Sequence, residues 1–276
     1  MTTLQALVLG VLQGLTEFFP VSSSGHLVLG QLLFGIDGDV LVFDIFVHLG
    51  TLLAVLVVFR GAILRILAGV YKGMADILGG KPALDVYRAS SDVRTAAGIV
   101  IGTIPAAVIG VTYTGEIEAL FHSASAVFAA LGFTGAVLLA TFAARPGTRH
   151  AGMLLGFVIG LAQALAIIPG ISRSGMTIAA GLFLGIRREE AGEFSFLLAV
   201  PAILGAAVLA AGDLLDAGVL SIPAVALLTG AAAAFFSGWA ALVFLMGIVR
   251  RGKLGYFGFY CLAAALAGVV VLSMAG

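Results

Sequence analysis

Charge is scarce in this chain, and Lys and Arg are missing from whole stretches of it. Only 10% of the 276 residues are Asp, Glu, Lys or Arg, 61% are hydrophobic, and mean hydropathy is +1.19. That balance excludes a soluble globular protein and leaves an integral membrane protein. The net charge is zero, so the basic surface that nucleic acid requires is absent. A single cysteine, Cys261, rules out an internal disulfide; it lies in an apolar run, packed or facing lipid. No Lys or Arg precedes Arg60, so the start of the chain lacks the positive region of a cleavable signal peptide. Tryptophan is reduced to Trp239, and the 19 phenylalanines supply lipid contact and packing instead.

What is present repeats. A shift of 150 residues sets Val8, Gly10, Gln13, Leu15, Ser22, Ser24, Gly25, Leu32, Gly35, Ile36 and Phe46 on identical residues. Glycine and leucine matches mean little in so biased a composition. The blocks Ser22-Ser23-Ser24-Gly25 and Ser172-Arg173-Ser174-Gly175 mean more, because each is a polar break inside a long apolar run. Such breaks at corresponding places in two halves of a membrane protein point to its functional site.

A spanning helix needs about 20 mostly apolar residues. Six segments qualify: about 41–59, 95–113, 121–144, 194–212, 222–249 and 255–275. The runs 4–36 and 152–186 are too long for one span and too short for two, and each is cut in its middle. They are expected to be re-entrant hairpins. With six spans and two hairpins, every Lys and Arg except Arg173 falls on one face, which the positive-inside rule makes cytoplasmic. Asp37, Asp39, Glu116, Glu118, Asp213 and Asp216 fall on the other, with both termini outside. The predicted fold is therefore all-α, one membrane domain over 1–276. Repeat 1 covers about 1–144 and repeat 2 about 151–276, inverted relative to each other, with their tips meeting near the midplane. Residues 61–94 form a cytoplasmic connection with an amphipathic interfacial helix carrying Ile63, Leu64, Leu67, Val70, Tyr71 and Met74 on one face.

Gln13 and Glu17 share a helix face at the first tip. Glu17 is the one acid inside an apolar hairpin, where an ionisable group is costly and marks function by default. Pro20 stops the helix, three serines and Gly25 follow, and His26 begins the next run. Serines at a helix start cap free N–H groups, and the same N–H groups bind anions. The second tip repeats the break with Ser172, Ser174, Gly175 and Thr177 and adds Arg173, whose guanidinium suits phosphate. Glu17 and Arg173 read either as functional groups or as a structural ion pair joining the halves. Asp44 and His48 read as interfacial or packed; His122 and His150 lie in loops with no assigned role.

Gln13-Gly14-Leu15-Thr16-Glu17-Phe18-Phe19-Pro20-Val21-Ser22-Ser23-Ser24-Gly25-His26 and Pro169-Gly170-Ile171-Ser172-Arg173-Ser174-Gly175-Met176-Thr177 resemble the two motifs of the undecaprenyl-diphosphate phosphatase family, the membrane enzymes of bacitracin resistance. The likeness extends over the chain in length and hydropathy. It implies hydrolysis of a C55 polyprenyl diphosphate to the monophosphate at the outer face of the cytoplasmic membrane, a divalent cation (Mg2+ or Ca2+) and a homodimer. Gln13 departs from the family, where a Glu is common, which weakens any scheme that holds the metal with two carboxylates. On this reading Glu17, with Gln13, serves the metal. Arg173 and the polar groups of Ser22, Ser24, Gly25, Ser172, Ser174, Gly175 and Thr177 hold phosphate. Either Ser23 attacks with His26 as base, or His26 acts on water or on phosphorus directly. The competing class is a polyprenyl-phosphate flippase or transporter, for which inverted repeats and broken helices argue.

Overall fold

The computed structural model describes residues 1–36, 40–113, 115–116, 120, 123–217 and 222–275, with backbone alone for 210–217 and 275. Asp37, Asp39, Glu118 and His122 lie outside the described residues, as do the side chains of Asp213 and Asp216. Among the described residues the structure is helical, with no strand. Six helices are long and apolar enough to cross a membrane: α3 (Leu41–Val58), α6 (Ser91–Thr112), α7 (Ala124–Ala140, extended by a 3-10 turn Thr141–Ala143), α10 (Arg188–Ala217), α11 (Ala224–Arg250) and α12 (Tyr256–Ala275). They are the six segments expected, and α10 begins six residues early, with Glu189 and Glu190 favourably placed in its first turn.

The two apolar runs that did not fit a single span are broken helices. α1 (Thr3–Phe18) and α2 (Ser23–Leu33) form the first; α8 (Met153–Leu165) and α9 (Arg173–Phe183) form the second. The arms have 16, 11, 13 and 11 residues. At 1.5 Å per residue none exceeds about 24 Å, short of a hydrocarbon core of about 30 Å. The local chemistry of the two breaks is shared at their far ends. α2 closes on Gly35 (φ 60) and α9 on Gly185 (φ 75). In each, the glycine N–H and the next N–H bond back into the last turn, Ile36 to Gln31 and Ile186 to Gly181. Only glycine takes that left-handed position cheaply, which explains one pair of repeat-related glycines.

A second pair is explained by packing. α1 lies on α11 so closely that a Cβ on Gly10 would stand 2.3 Å from the Gly230 carbonyl oxygen. α8 lies on α6 in the same way, with a Cβ on Gly160 2.2 Å from the Gly102 oxygen. Small residues at a crossing let two backbones touch, the main source of helix association where no water is expelled. Each broken helix thus packs on a span from the opposite half. α3 and α10 meet each other, α7 meets α12, and the interior fills with Phe18, Phe59, Phe194, Phe196, Leu242 and Leu245.

One end of the bundle gathers charge. Arg65 pairs with Glu193 at 3.3 Å, His150 with Glu190 at 2.9 Å, and Arg250 with Glu189. Singly such exposed pairs are worth little, but together they bring α10, α11, the loop before α8 and the connection to one end. That connection holds two helices, α4 (Arg60–Leu78) and α5 (Ala83–Ala89). α4 buries Ala62, Ile66 and Gly73 and leaves Leu64, Leu67, Tyr71 and Met74 exposed. The predicted apolar face divides: Ile63 and Val70 pack on the core, and the rest points away from it.

Candidate active site

The two breaks meet. A Cβ on Gly175 would lie 3.1 Å from the Pro20 side chain. Across that contact Arg173 donates from its Nη2 to Glu17 Oε1 at 2.7 Å. Glu17 Oε2 accepts from Ser23 Oγ at 2.8 Å and from Gln13 Nε2 at 3.0 Å. The carboxylate and guanidinium side chains are 8% and 17% exposed, so each charge depends on the other. Arg173 Nη1 is buried with no hydrogen-bond partner in the protein, and so is Gln13 Oε1. Buried polar atoms are rarely left unpaired, and two of them beside one carboxylate mark a place built for something else.

A cavity of about 530 Å³ opens on this cluster. Glu17, Ser22, Ser23, Ser24, Ser172 and Arg173 line its polar part. α3 adds Asp44 and His48, with His48 Nε2 3.8 Å from Glu17 Oε2 and Nδ1 donating to the Asp44 carbonyl oxygen at 2.7 Å. These two were read from sequence as interfacial or packed, and the structure puts them in the site. Asp44 and His48 are four apart on one helix face, a signal that gains meaning only once α3 is known to pass the tips.

The tips differ in ways their shared sequence hides. At the second, Ser172 Oγ caps α9 by accepting from Gly175 N at 3.2 Å, and Ser174 Oγ lies 3.3 Å from Ser172 Oγ. Thr177 donates to the Arg173 carbonyl at 2.8 Å and meets Ser195. Ser174, Gly175 and Thr177, expected to bind phosphate, are thus committed to the protein and lie outside the cavity lining, because α9 uses them to satisfy its own first turn. At the first tip Ser22 makes no side-chain cap, and Gly25 borders a second, largely apolar cavity. The expected Ser23–His26 pairing is not the arrangement found. Ser23 turns to Glu17, whereas the His26 ring turns away, with Nδ1 2.8 Å from the Ser22 carbonyl oxygen and Nε2 2.6 Å from the Tyr260 hydroxyl. Cys261, next to Tyr260, is fully buried and donates to the Pro20 carbonyl at 3.3 Å.

Comparison with known proteins bears on the same residues. The family model described as bacitracin resistance protein BacA matches residues 6–267. A protein of Desulforapulum autotrophicum named undecaprenyl-diphosphatase is 45% identical over 271 residues, covering 96% of this chain and 97% of its own. Proteins of the same name from Carboxydothermus hydrogenoformans and Bacteroides fragilis are 41% and 40% identical, covering 100% and 97% of this chain and 99% and 96% of their own. The match runs through both tips and every span, and the chain belongs to the bacitracin resistance protein BacA family.

Proposed function

We propose that this chain is an undecaprenyl-diphosphatase, hydrolysing undecaprenyl diphosphate to the monophosphate and inorganic phosphate and so recycling the lipid carrier of cell-wall synthesis. The observation that carries the reading is the buried, unpartnered Nη1 of Arg173, a residue lining a cavity that also presents a hydroxyl bonded to a carboxylate. One arm of the guanidinium is held by Glu17, and the other is free for a phosphate oxygen. On the far side of Ser22 and Ser24 the apolar cavity, about 660 Å³ and lined by Val28, Leu32, Phe128 and Val271, offers room to the first isoprene units.

Phosphoryl transfer asks mainly for positioning and charge stabilisation. Arg173 Nη1 holds the terminal phosphate and balances charge that develops on its oxygens. Ser23 Oγ attacks that phosphorus, the bond to the bridging oxygen breaks, and the lipid monophosphate leaves with the bonding pair. The serine proton passes to Glu17 Oε2, to which it is already bonded. Water then cleaves the phosphoserine, and the proton returns as phosphate departs.

The donor atoms of Glu17 and Gln13 suit a divalent cation, Mg2+ or Ca2+. Among the described residues no group of three or more His, Cys, Asp and Glu could enclose a metal ion. Glu17 supplies a carboxylate, however, and Gln13 an amide oxygen with no partner in the protein, the oxygen donors that a hard cation takes. Such a cation supplies charge neutralisation on the diphosphate. Glu17 and Gln13 would hold it.

The charged end of the bundle supports a cytoplasmic placement of that end in the cell membrane, with the termini and the reaction at the outer face. The pairing of two copies rests on the resemblance alone. The test is phosphate release from undecaprenyl diphosphate by purified protein in detergent. Steady release that disappears with Arg173→Ala supports the reading; no release from folded protein, with either cation supplied, overturns it.

A further inference from the structure

We propose that Tyr260 is a positioning residue that, through His26, holds the Ser22–Ser23 peptide in a strained turn and so aims Ser23 at Glu17. The inference rests on the phosphatase reading of this site. Its starting point is the backbone. Ser22 has φ 68 and ψ 92, and among the described residues it is the one non-glycine with positive φ. A side chain in that region is strained and persists only where its surroundings force it.

The internal repeat provides the control. Ser172 occupies the corresponding place in the same Ser-x-Ser-Gly block, with φ −78 and ψ 117, and caps its helix in the ordinary way. The strain is therefore not a property of the motif. The position matching His26 is Met176, which has no ring and no polar tip. Where the histidine stands, the serine is strained; where methionine stands, it is relaxed.

The connection is direct. The Ser22 carbonyl can only accept, so His26 Nδ1 carries the hydrogen at 2.8 Å. Nε2 of the same ring shares a hydrogen bond with the Tyr260 hydroxyl at 2.6 Å, and the two rings stack 5.9 Å apart at 23°. Tyr260 is half exposed on α12, where lipid in place of water strengthens the bond. In a trans peptide the carbonyl and the following N–H point opposite ways. Holding the Ser22 carbonyl at His26 therefore fixes the orientation of the whole Ser22–Ser23 peptide, and with it the start of the residue whose Oγ meets Glu17 at 2.8 Å. Both ring nitrogens are occupied, so His26 serves the tip and not the phosphorus.

Turnover of undecaprenyl diphosphate by purified variants tests this. Tyr260→Phe removes one oxygen; kcat should fall about tenfold, the effect of one lost hydrogen bond, with KM within twofold and an unchanged melting temperature. His26→Asn places an amide nitrogen where Nδ1 was and keeps the bond to Ser22. It should retain kcat within about tenfold of wild type, whereas His26→Ala falls about a hundredfold or more. Adding Tyr260→Phe to His26→Asn should cost nothing further. Folded His26→Asn as inactive as His26→Ala would show that the ring does chemistry. Full kcat in Tyr260→Phe, or an equal loss in both backgrounds, would break the link to tyrosine. If wild type itself releases no phosphate, the phosphatase reading fails; if it does and these variants are silent, only the clamp fails.

Discussion

Replacing Glu17 and Arg173 singly and then together separates what this ion pair does for the fold from what it does for the substrate. The pair is 2.7 Å long, and both side chains are mostly withdrawn from solvent. An exposed pair would be worth about 0–1 kcal/mol. Breaking a buried one from one side leaves the other charge uncompensated and costs about 3–5 kcal/mol. The two sides are not equal. Arg173→Met leaves a carboxylate still holding Ser23 and Gln13, so the low end applies. Glu17→Gln keeps the shape but strands a guanidinium whose Nη1 is already unpartnered, so the high end applies. At about 2–4 °C per kcal/mol, the single variants should melt about 6–20 °C lower in detergent. The double variant removes both charges and should recover to within about 2 kcal/mol of wild type. Arg173→Lys should restore stability in part and turnover hardly at all, since lysine supplies charge without the fork. All of these should lose phosphate release. A double variant no more stable than the worse single one would refute the coupling, and near-normal turnover with Arg173→Met would refute the phosphate-binding role.

Three other predictions follow from the same geometry. Gly10→Ala and Gly160→Ala each drive a Cβ into a carbonyl of the facing helix and should deplete folded protein, whereas Gly61→Ala, with nothing within 4 Å, should be neutral or stabilise α4 by up to about 1 kcal/mol in thermal melts. An impermeant thiol reagent added to whole cells should label Glu116→Cys and spare Arg149→Cys and Arg251→Cys, with the buried Cys261 silent; the reverse pattern would invert the topology. Rapid quenching with labelled diphosphate should trap an acid-stable label on the peptide carrying Ser23, and Ser23→Ala should abolish both label and turnover; turnover in Ser23→Ala would shift the attack to water.

Much of the fold is legible because lipid leaves a chain few choices. A run of about 20 apolar residues reads as a helix, since within a single segment only a helix satisfies the backbone in hydrocarbon. The six spans therefore appear where hydropathy puts them, and Pro20 and Pro169-Gly170 break the two remaining runs where expected. Glu17 and Arg173 were legible as candidates for a related reason: an ionisable group in an apolar hairpin is costly and marks function, whether its partner is the other charge or a bound phosphate. His48 and Asp44 were not, because an acid and a histidine near a helix start carry no mark of which neighbour they face. Tyr260 was hidden in an apolar run 234 residues from the histidine it holds.

By itself, then, the sequence determined the helices, the two broken ones, the two buried charges and the family, because each of these follows from local polarity or from a motif; that the two charges pair was one of two readings until the structure placed them 2.7 Å apart. The tertiary structure decided which way the side chains at the first tip turn. Ser23 and His26 are three residues apart, close enough that a pair was the natural expectation. Glu17 on one side and Tyr260 on the other draw them apart. The Ser-x-Ser-Gly block is strained at Ser22 and relaxed at Ser172; at the first tip the Ser22 carbonyl meets His26, whose ring in turn meets Tyr260 of α12, a contact that the block's own residues do not specify.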